Sequence, residues 1–273
     1  MTGFCDDVTA VVRGSSDPRV FDAVGSVEDQ CRVIAAITPD TAIEAGLRSR
    51  GTRYVVSPRG NPAQTSLRAF EHVSTPLVLL LDSDCIVYPG TVDRLVGRLT
   101  AEGLDAIAAR VDFAHRTWST RMTSVQREHQ YYAFDRFYEP GLLLNVESVT
   151  AKVGYVFSST FPFTPDGELD LRVRQTPSVS WTVDSVAGLE HAALSYRANL
   201  GSHVRYGRSD CTVAAHHGAA FWTDLATSLA RKYTRRGTPL QVIERTAASC
   251  AADSAYLAAL SYEVLRQRVP WRR

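Results

Sequence analysis

The sequence predicts an α/β fold: a central, mostly parallel sheet flanked by helices, with a helical extension at its C-terminal end. Three observations carry this. Short apolar runs alternate with helix-period segments through roughly the first hundred residues, the pattern of right-handed β-α-β units. The run Leu77–Leu81 is apolar at every position, as a strand covered on both faces requires. The stretch from Leu240 to Arg268 is rich in alanine and reads as helix.

In chain order, Val8–Val12 is the first strand. The turn Arg13-Gly14-Ser15-Ser16-Asp17-Pro18 opens a helix, with Ser16 or Asp17 as N-cap and Pro18 in the first turn. Phe21, Val24 and Val27 follow at helical spacing. Arg32–Ile37 is a second strand, and a helix from Thr41 to Arg50 stops at Gly51. Arg53–Val56 is a third strand, Ala63–Val73 a helix, and the Leu77 run the fourth strand. A helix over Thr91–Glu102 sets Val92, Leu95, Val96 and Leu99 on one face, and Ala106–Val111 is a fifth strand.

After that the rhythm changes. Thr120–Tyr138 reads as a polar and aromatic helix. Glu139 to Asp184 reads as loops and short strands, broken at Gly154, Pro162, Pro165, Gly167 and Pro177. Gly188–Leu200 has helical spacing, His203–Tyr206 and Thr212–Ala215 read as strands, and Phe221–Arg236 as a basic-ended helix.

The chain has 273 residues, 45% of them hydrophobic, and a formal net charge of +1. A substantial core is available, and no overall basic field exists to collect nucleic acid. The five cysteines are scattered without a Cys-x-x-Cys pair, which reads as reduced thiols in a cytoplasmic protein. The N-terminus is acidic and lacks a long apolar core. No apolar run approaches the roughly 20 residues of a membrane helix. Membrane contact is therefore peripheral at most, through the cationic tail around Trp271.

The stretch that organises the chain is Asp82-Ser83-Asp84, directly behind the buried run. Parallel sheets present ligands at the carboxyl ends of their strands. Two carboxylates there repel unless something positive lies between them. A hard divalent cation, with the phosphates it carries, is the simplest candidate. The plain alternative is a polar turn, with Asp82 capping the helix near Thr91.

The order of these parts, with Ser74-Thr75-Pro76 leading into a strand that ends Leu-Asp-Ser-Asp and Pro89-Gly90-Thr91 behind it, resembles the family 2 glycosyltransferases. A second block resembles that family's Glu-Asp-x-x-Leu-x-x-Arg helix, closing Gly and strand ending in His: Gly188-Leu-Glu190-His191 through Arg197, Gly201, His203–Tyr206, and Val213 to His216-His217. The likeness covers residues 7–237. It implies a GT-A-type sheet and a domain over 1–237, with a nucleotide-sugar half near 7–112 and an acceptor half near 113–237; 238–273 would be the packed extension. It implies a metal-dependent, inverting transfer of sugar from a nucleoside-diphosphate sugar to an acceptor hydroxyl or amine, and the lack of a membrane-length apolar run favours a small-molecule or carrier-bound acceptor.

On that resemblance Asp84 ligates Mn²⁺ or Mg²⁺, Asp82 touches ribose or the metal through water, and His216 completes the shell. Glu190 is the general base, with His191 as its alternative. Arg13, Gly14, Asp40, Arg59, Asn61, Arg68, Asp82, Ser83, Arg197 and Arg235 bind the nucleotide-sugar. Trp118, Tyr131, Tyr132, Phe137 and Trp181 are aromatics available for the acceptor side. The sequence departs from the family pattern in places. Arg13-Gly14 stands where Pro-Thr is usual, Asp40 lies late for the acid after the second strand, and Glu190-His191 replaces Glu-Asp.

Asp166-Gly167-Glu168-Leu-Asp170-Leu-x-x-Arg174 also resembles the Glu-Asp motif. It ranks second, because no closing Gly, strand and His are read behind it, and Asp166-Gly167 is read as a hairpin turn. Two other functions fit less of the chain: a sugar-phosphate nucleotidyltransferase, whose Gly-rich loop Arg13–Ser16 is too short to supply, and a non-catalytic nucleotide-sugar-binding module.

Overall fold

A computed structural model describes residues 3–14, 16–132, 137, 139–161, 163–234 and 239–268. Arg235 and the tail with Trp271 lie outside the described residues. The chain divides into two compact units: residues 1–112 with 137–192, and residues 113–136 with 193–273.

The strands are β1 (Cys5–Arg13), β2 (Cys31–Ile37), β3 (Arg53–Val56), β4 (Leu77–Asp82), β5 (Cys85–Val87), β6 (Ala106–Phe113), β7 (Leu142–Asn145) and β8 (Trp181–His191). The helices are α1 (Val20–Val27), α2 (Thr41–Ser49), α3 (Pro62–Phe70), α4 (Thr91–Glu102), α5 (Trp118–Tyr132), α6 (Val146–Val153), α7 (Pro165–Arg174), α8 (Tyr196–His217), α9 (Ala219–Thr234) and α10 (Pro239–Arg268).

In the first unit the strands run in the order β3-β2-β1-β4-β7-β6-β8-β5. β1 pairs in parallel with β2 and β4, and β2 with β3. β7 is antiparallel to β4 and β6, and β5 to β8. The sheet is thus mixed: parallel across β3-β2-β1-β4, as expected, and antiparallel where β4 meets β7, β7 meets β6 and β5 meets β8. β4 is buried from Leu77 to Leu81, as its unbroken apolar run requires. Val11, Ile34, Val78, Leu80, Leu142 and Leu144 share its core, joined by Phe137, which meets Trp181 edge-on at 5.3 Å. Each such side chain contributes roughly 1.5–3 kcal/mol by leaving water. Phe137 is fully buried, a core residue and not a stacking platform for an acceptor.

Gly141 makes the tight corner into β7. Its φ is +85°, and a Cβ there would lie 2.6 Å from Leu189 Cδ2, so only glycine fits. Its N–H donates to Leu80 O and its carbonyl accepts from Ala109 N, each at 2.8 Å. The corner fixes the direction of the residues before it, which matters for Glu139.

Two buried carboxylates brace the unit. Asp105 accepts from Lys152 Nζ at 2.7 Å, Ser180 N at 2.6 Å and Ser180 Oγ at 3.0 Å, and from Ser148 Oγ. Burial opposes its charge, yet these donors together carry its carboxyl down to about 2. Asp184 accepts from the N–H groups of Val186 (2.6 Å) and Ala187 (2.7 Å) and from Arg94 and Arg98, both at 3.0 Å. Its carboxyl is likewise held well below the usual range, against the pull of burial.

The second half of the chain corrects the sequence reading in several places. Gly188–Leu200 is not a helix: residues up to His191 complete β8, and the helix begins at Tyr196 behind an N-cap at Ser195. His203–Tyr206 and Thr212–Ala215 are not strands but turns of the 22-residue α8. Asp166-Gly167 is not a hairpin but the first turn of α7, with Pro165 at its N-terminal end. β5, β7 and α6 lie in stretches read as loop, turn or undifferentiated short strand.

In the second unit α10 lies along α8 and also meets α5. Gly207 explains why a glycine interrupts α8 without ending it. A Cβ there would stand 2.3 Å from Tyr256 O, so its absence lets α10 approach. Inside this unit Arg127 Nε donates to Asn199 Oδ1 at 2.8 Å, Asn199 Nδ2 to Gln126 Oε1 at 3.0 Å, and Gln126 Nε2 lies 3.3 Å from His203 Nε2. Burial drives His203 down to about 4, so it sits neutral in that network. Among the described residues no helix is long and apolar enough to cross a membrane.

Candidate active site

The carboxyl ends of β1 and β4 bring the first cluster together. Their register sets Arg13 opposite Asp82. Arg13 donates to Asp82 Oδ1 through Nη2 at 2.8 Å and Nε at 3.2 Å. The same Nη2 lies 2.5 Å from Glu139 Oε2, and Glu139 is buried. Asp166, on the first turn of α7, is near enough for the charges of Arg13 and Asp82 to act on its carboxyl.

One guanidinium therefore contacts Asp82 and Glu139 and acts on Asp166 through its charge. Burial pushes Glu139 up to about 8 although Arg13 pulls the other way, and Asp82 adds to the rise. Burial pushes Asp166 up to about 6, with Arg13 and the Gly167 N–H opposing. Burial works against the charge of Arg13 too, but the acids outweigh it and hold the guanidinium protonated.

The second cluster lies where β5 meets β8. Ala192 N donates to Asp84 O at 2.8 Å, and Cys85 is in register with His191. Residues in register on an antiparallel pair share a face of the sheet. His191 Nε2 stands 3.6 Å from Asp84 Oδ1, while its Nδ1 lies 2.8 Å from Ala192 O. Arg19 Nη1 is 3.7 Å from Asp84 Oδ2 and is itself held by Asp17. Burial raises the Asp84 carboxyl; His191 and Arg19 oppose and Asp82 adds. Asp84, Cys85 and His191 bring one ligand atom each to within 4.8 Å of one another.

The remaining candidates fall into three groups. Ser83 N donates to Arg13 O at 2.8 Å and Gly14 N to Ala36 O at 2.7 Å, which knits the strand ends together. Asp40 caps α2, accepting from Ala42 N and Ile43 N. Arg59 donates to Pro39 O at 3.2 Å and Ser16 Oγ at 3.3 Å, so the loops after β1, β2 and β3 converge. Asn61 caps α3 and also donates to Ser159 O at 3.3 Å, and Arg68 donates to Val56 O at 3.3 Å. Arg197 and His216 belong to the helical unit, at the start and end of α8. His216 thus closes a helix, not the strand expected of it.

Glu190 does not begin a helix. It is an exposed residue of β8 opposite Ile86. Strand alternation turns it to the face opposite His191. The residues that sequence reasoning passed over are Glu139, Arg19 and Cys85, and Asp166 was ranked behind Glu190. The missed signal for Asp166 was behind it: α7 is followed by a strand that ends in histidine, namely β8 and His191. Pro177-Ser178 makes the intervening turn where a glycine was sought. Glu139, just ahead of Pro140-Gly141, carried no comparable signal.

Residues 36–153 match the family described as Glycosyl transferase family 2. No curated protein sequence matches the chain. Among solved structures, residues 1–349 of TarS from S. aureus in complex with UDP-GlcNAc share the fold at TM-score 0.52 and 10% identity, over 97% of this chain and 93% of that one. Against a longer S. aureus TarS chain, this chain spans 55% of its length at 12% identity, with 93% of this chain aligned and a TM-score of 0.51. Glucosyl-3-phosphoglycerate synthase from Mycobacterium tuberculosis, solved with Mn²⁺, UDP and phosphoglyceric acid, aligns over 78% of this chain and 79% of its own at TM-score 0.55 and 15% identity.

Proposed function

We propose that this chain, a glycosyltransferase with a family 2 region, moves a sugar from a nucleoside-diphosphate sugar to an acceptor hydroxyl with inversion, at the Asp82–Asp84 edge of its sheet. The observation that carries this reading is the pairing of two clusters at that edge. Asp84 with His191 stands on one side, and Arg13 with Asp82, Glu139 and Asp166 on the other. The UDP and UDP-GlcNAc held by the structural neighbours support a donor of that class.

Asp84 and His191 fit a divalent cation such as Mn²⁺ or Mg²⁺. With Nδ1–H donating to the Ala192 carbonyl, Nε2 keeps its lone pair and faces Asp84 Oδ1. That is the usual way a protein orients a ligating imidazole. When bound, such an ion neutralises charge developing on the departing diphosphate. Arg13 holds Asp82 in one orientation at the strand end, where ribose would approach. Asp40 and Arg59 lie on the converging loops where the base would sit.

Asp166 is the general base in this reading and takes the proton of the attacking hydroxyl. Its carboxyl, raised to about 6 by burial, is ionised at neutral pH yet basic enough to accept that proton. The test is Asp166→Asn. Turnover should fall about 10²–10⁴-fold with donor binding unchanged. The wild-type rate should rise with pH through about 6. A variant that keeps near-normal turnover removes Asp166 from the role.

A further inference from the structure

The acid pair and histidine have a neighbour that the reading above leaves unused. Cys85 is fully buried, and a buried cysteine is ordinarily a small hydrophobe. Cys31 fits that description: it is buried in the sheet, with its sulfur 4.0 Å from the Val27 carbonyl of its own neighbourhood. Cys85 is placed differently. It follows Asp84 directly and faces His191 across the β5–β8 ladder. Ala192 N bonds to Asp84 O, and Tyr88 N bonds to Gly188 O. Cys85 and His191 therefore fall on a non-hydrogen-bonded pair, the closely spaced kind whose side chains stand nearest. Its sulfur lies 3.8 Å from Asp84 Oδ1, the oxygen that also faces His191 Nε2 at 3.6 Å.

We propose that Cys85 is a third protein ligand beside Asp84 and His191, so that the site has an oxygen–nitrogen–sulfur donor set and prefers zinc-class cations to magnesium. This rests on the reading of Asp84 and His191 as metal ligands. The ligand atoms, all within 4.8 Å of one another, need only a small contraction to share one ion at metal–ligand distances of roughly 2.0–2.3 Å. The thiol proton leaves to solvent as the sulfur coordinates. Carboxylate and imidazole alone serve manganese and magnesium, whereas thiolate shifts selectivity toward zinc and cadmium. Zinc-class ions would then compete for the site that the transfer reaction uses.

The experiment uses the full chain and the metals alone. Calorimetric titration with Zn²⁺, Mn²⁺ and Mg²⁺ is paired with the ultraviolet sulfur-to-cadmium charge-transfer band on adding Cd²⁺. The wild type should bind Zn²⁺ at least about tenfold more tightly than Mn²⁺, and Mg²⁺ weakest. Cys85→Ser should lose the Cys85 share of the cadmium band and about tenfold in Zn²⁺ affinity, with Mn²⁺ affinity nearly unchanged. Cys85→Ala repeats the test should the buried hydroxyl disturb folding, which circular dichroism reads. An unchanged band and an unchanged Zn²⁺/Mn²⁺ ratio in both variants overturn the role of Cys85. Asp84→Asn separates the two readings: it should weaken every metal, and if none is weakened the metal site itself is wrong.

Discussion

Asp105 and Asp184 are buried as deeply as Glu139, yet their protons are held in opposite ways. Each of the first two collects backbone N–H groups, hydroxyls or several cations, and its carboxyl drops below the usual range. Glu139 meets the Arg13 guanidinium that Asp82 also uses, with the charges of Asp82 and Asp166 close by, and burial lifts its carboxyl to about 8. All three are covered from solvent; the charges beside them and the depth of the surrounding protein differ. A fully supplied carboxylate is a brace, because its charge is spent on local bonds. A carboxyl raised by burial among other acids is the kind of group found where sites of chemistry concentrate.

Removing a brace should produce the largest stability effect. Asp184→Ala leaves the N–H groups of Val186 and Ala187 without their acceptor, the second of them buried. Thermal unfolding should then report a loss of about 2–3 kcal/mol. A loss near zero would mean that Asp184 is no brace.

Glu139→Gln should act in the opposite direction. A carboxyl whose folded pKa is raised loses stability as pH climbs from its unfolded value near 4.5 through about 8. The neutral amide escapes that loss. Melting temperatures should therefore favour the variant above pH 8, by on the order of 1–2 kcal/mol, and converge with wild type near pH 5. A variant that is less stable at both would make Glu139 another brace.

The other brace reads out at the acid end. Asp105, depressed to about 2, contributes stability that is present above its unfolded value near 3.8 and is lost as pH falls through about 2. Wild type should weaken over that window. Asp105→Asn should be less stable above it, with a flatter acid limb, in a urea titration at stepped pH.

Much of the first half was legible because its signals are local. The apolar run of β4, the Gly51 stop after α2 and the alternation of β1 to α4 each depend on residues within a few positions. The acid pair sits at a strand end for the same reason. The second half was misread because its elements are decided by distant partners. β8 is a strand because it lies between β6 and β5 in the sheet, the latter a hundred residues earlier. The strand-like runs inside α8 are helical because α10 covers them, through the gap left by Gly207.

The same division runs through the site. Composition and period set the class of fold, the order of strands up to β4, and the place of Asp82 and Asp84 at a carboxyl edge. Those follow from side-chain volume and backbone period along the chain. Which groups meet the two aspartates was decided by sheet register and corner geometry. β1 beside β4 delivers Arg13 to Asp82, Gly141 turns the chain beside Glu139, and β5 against β8 sets Cys85 and His191 beside Asp84. A linear pattern names the residues able to do chemistry. The contacts that tune their charge are made across the sheet, where sequence distance carries no information.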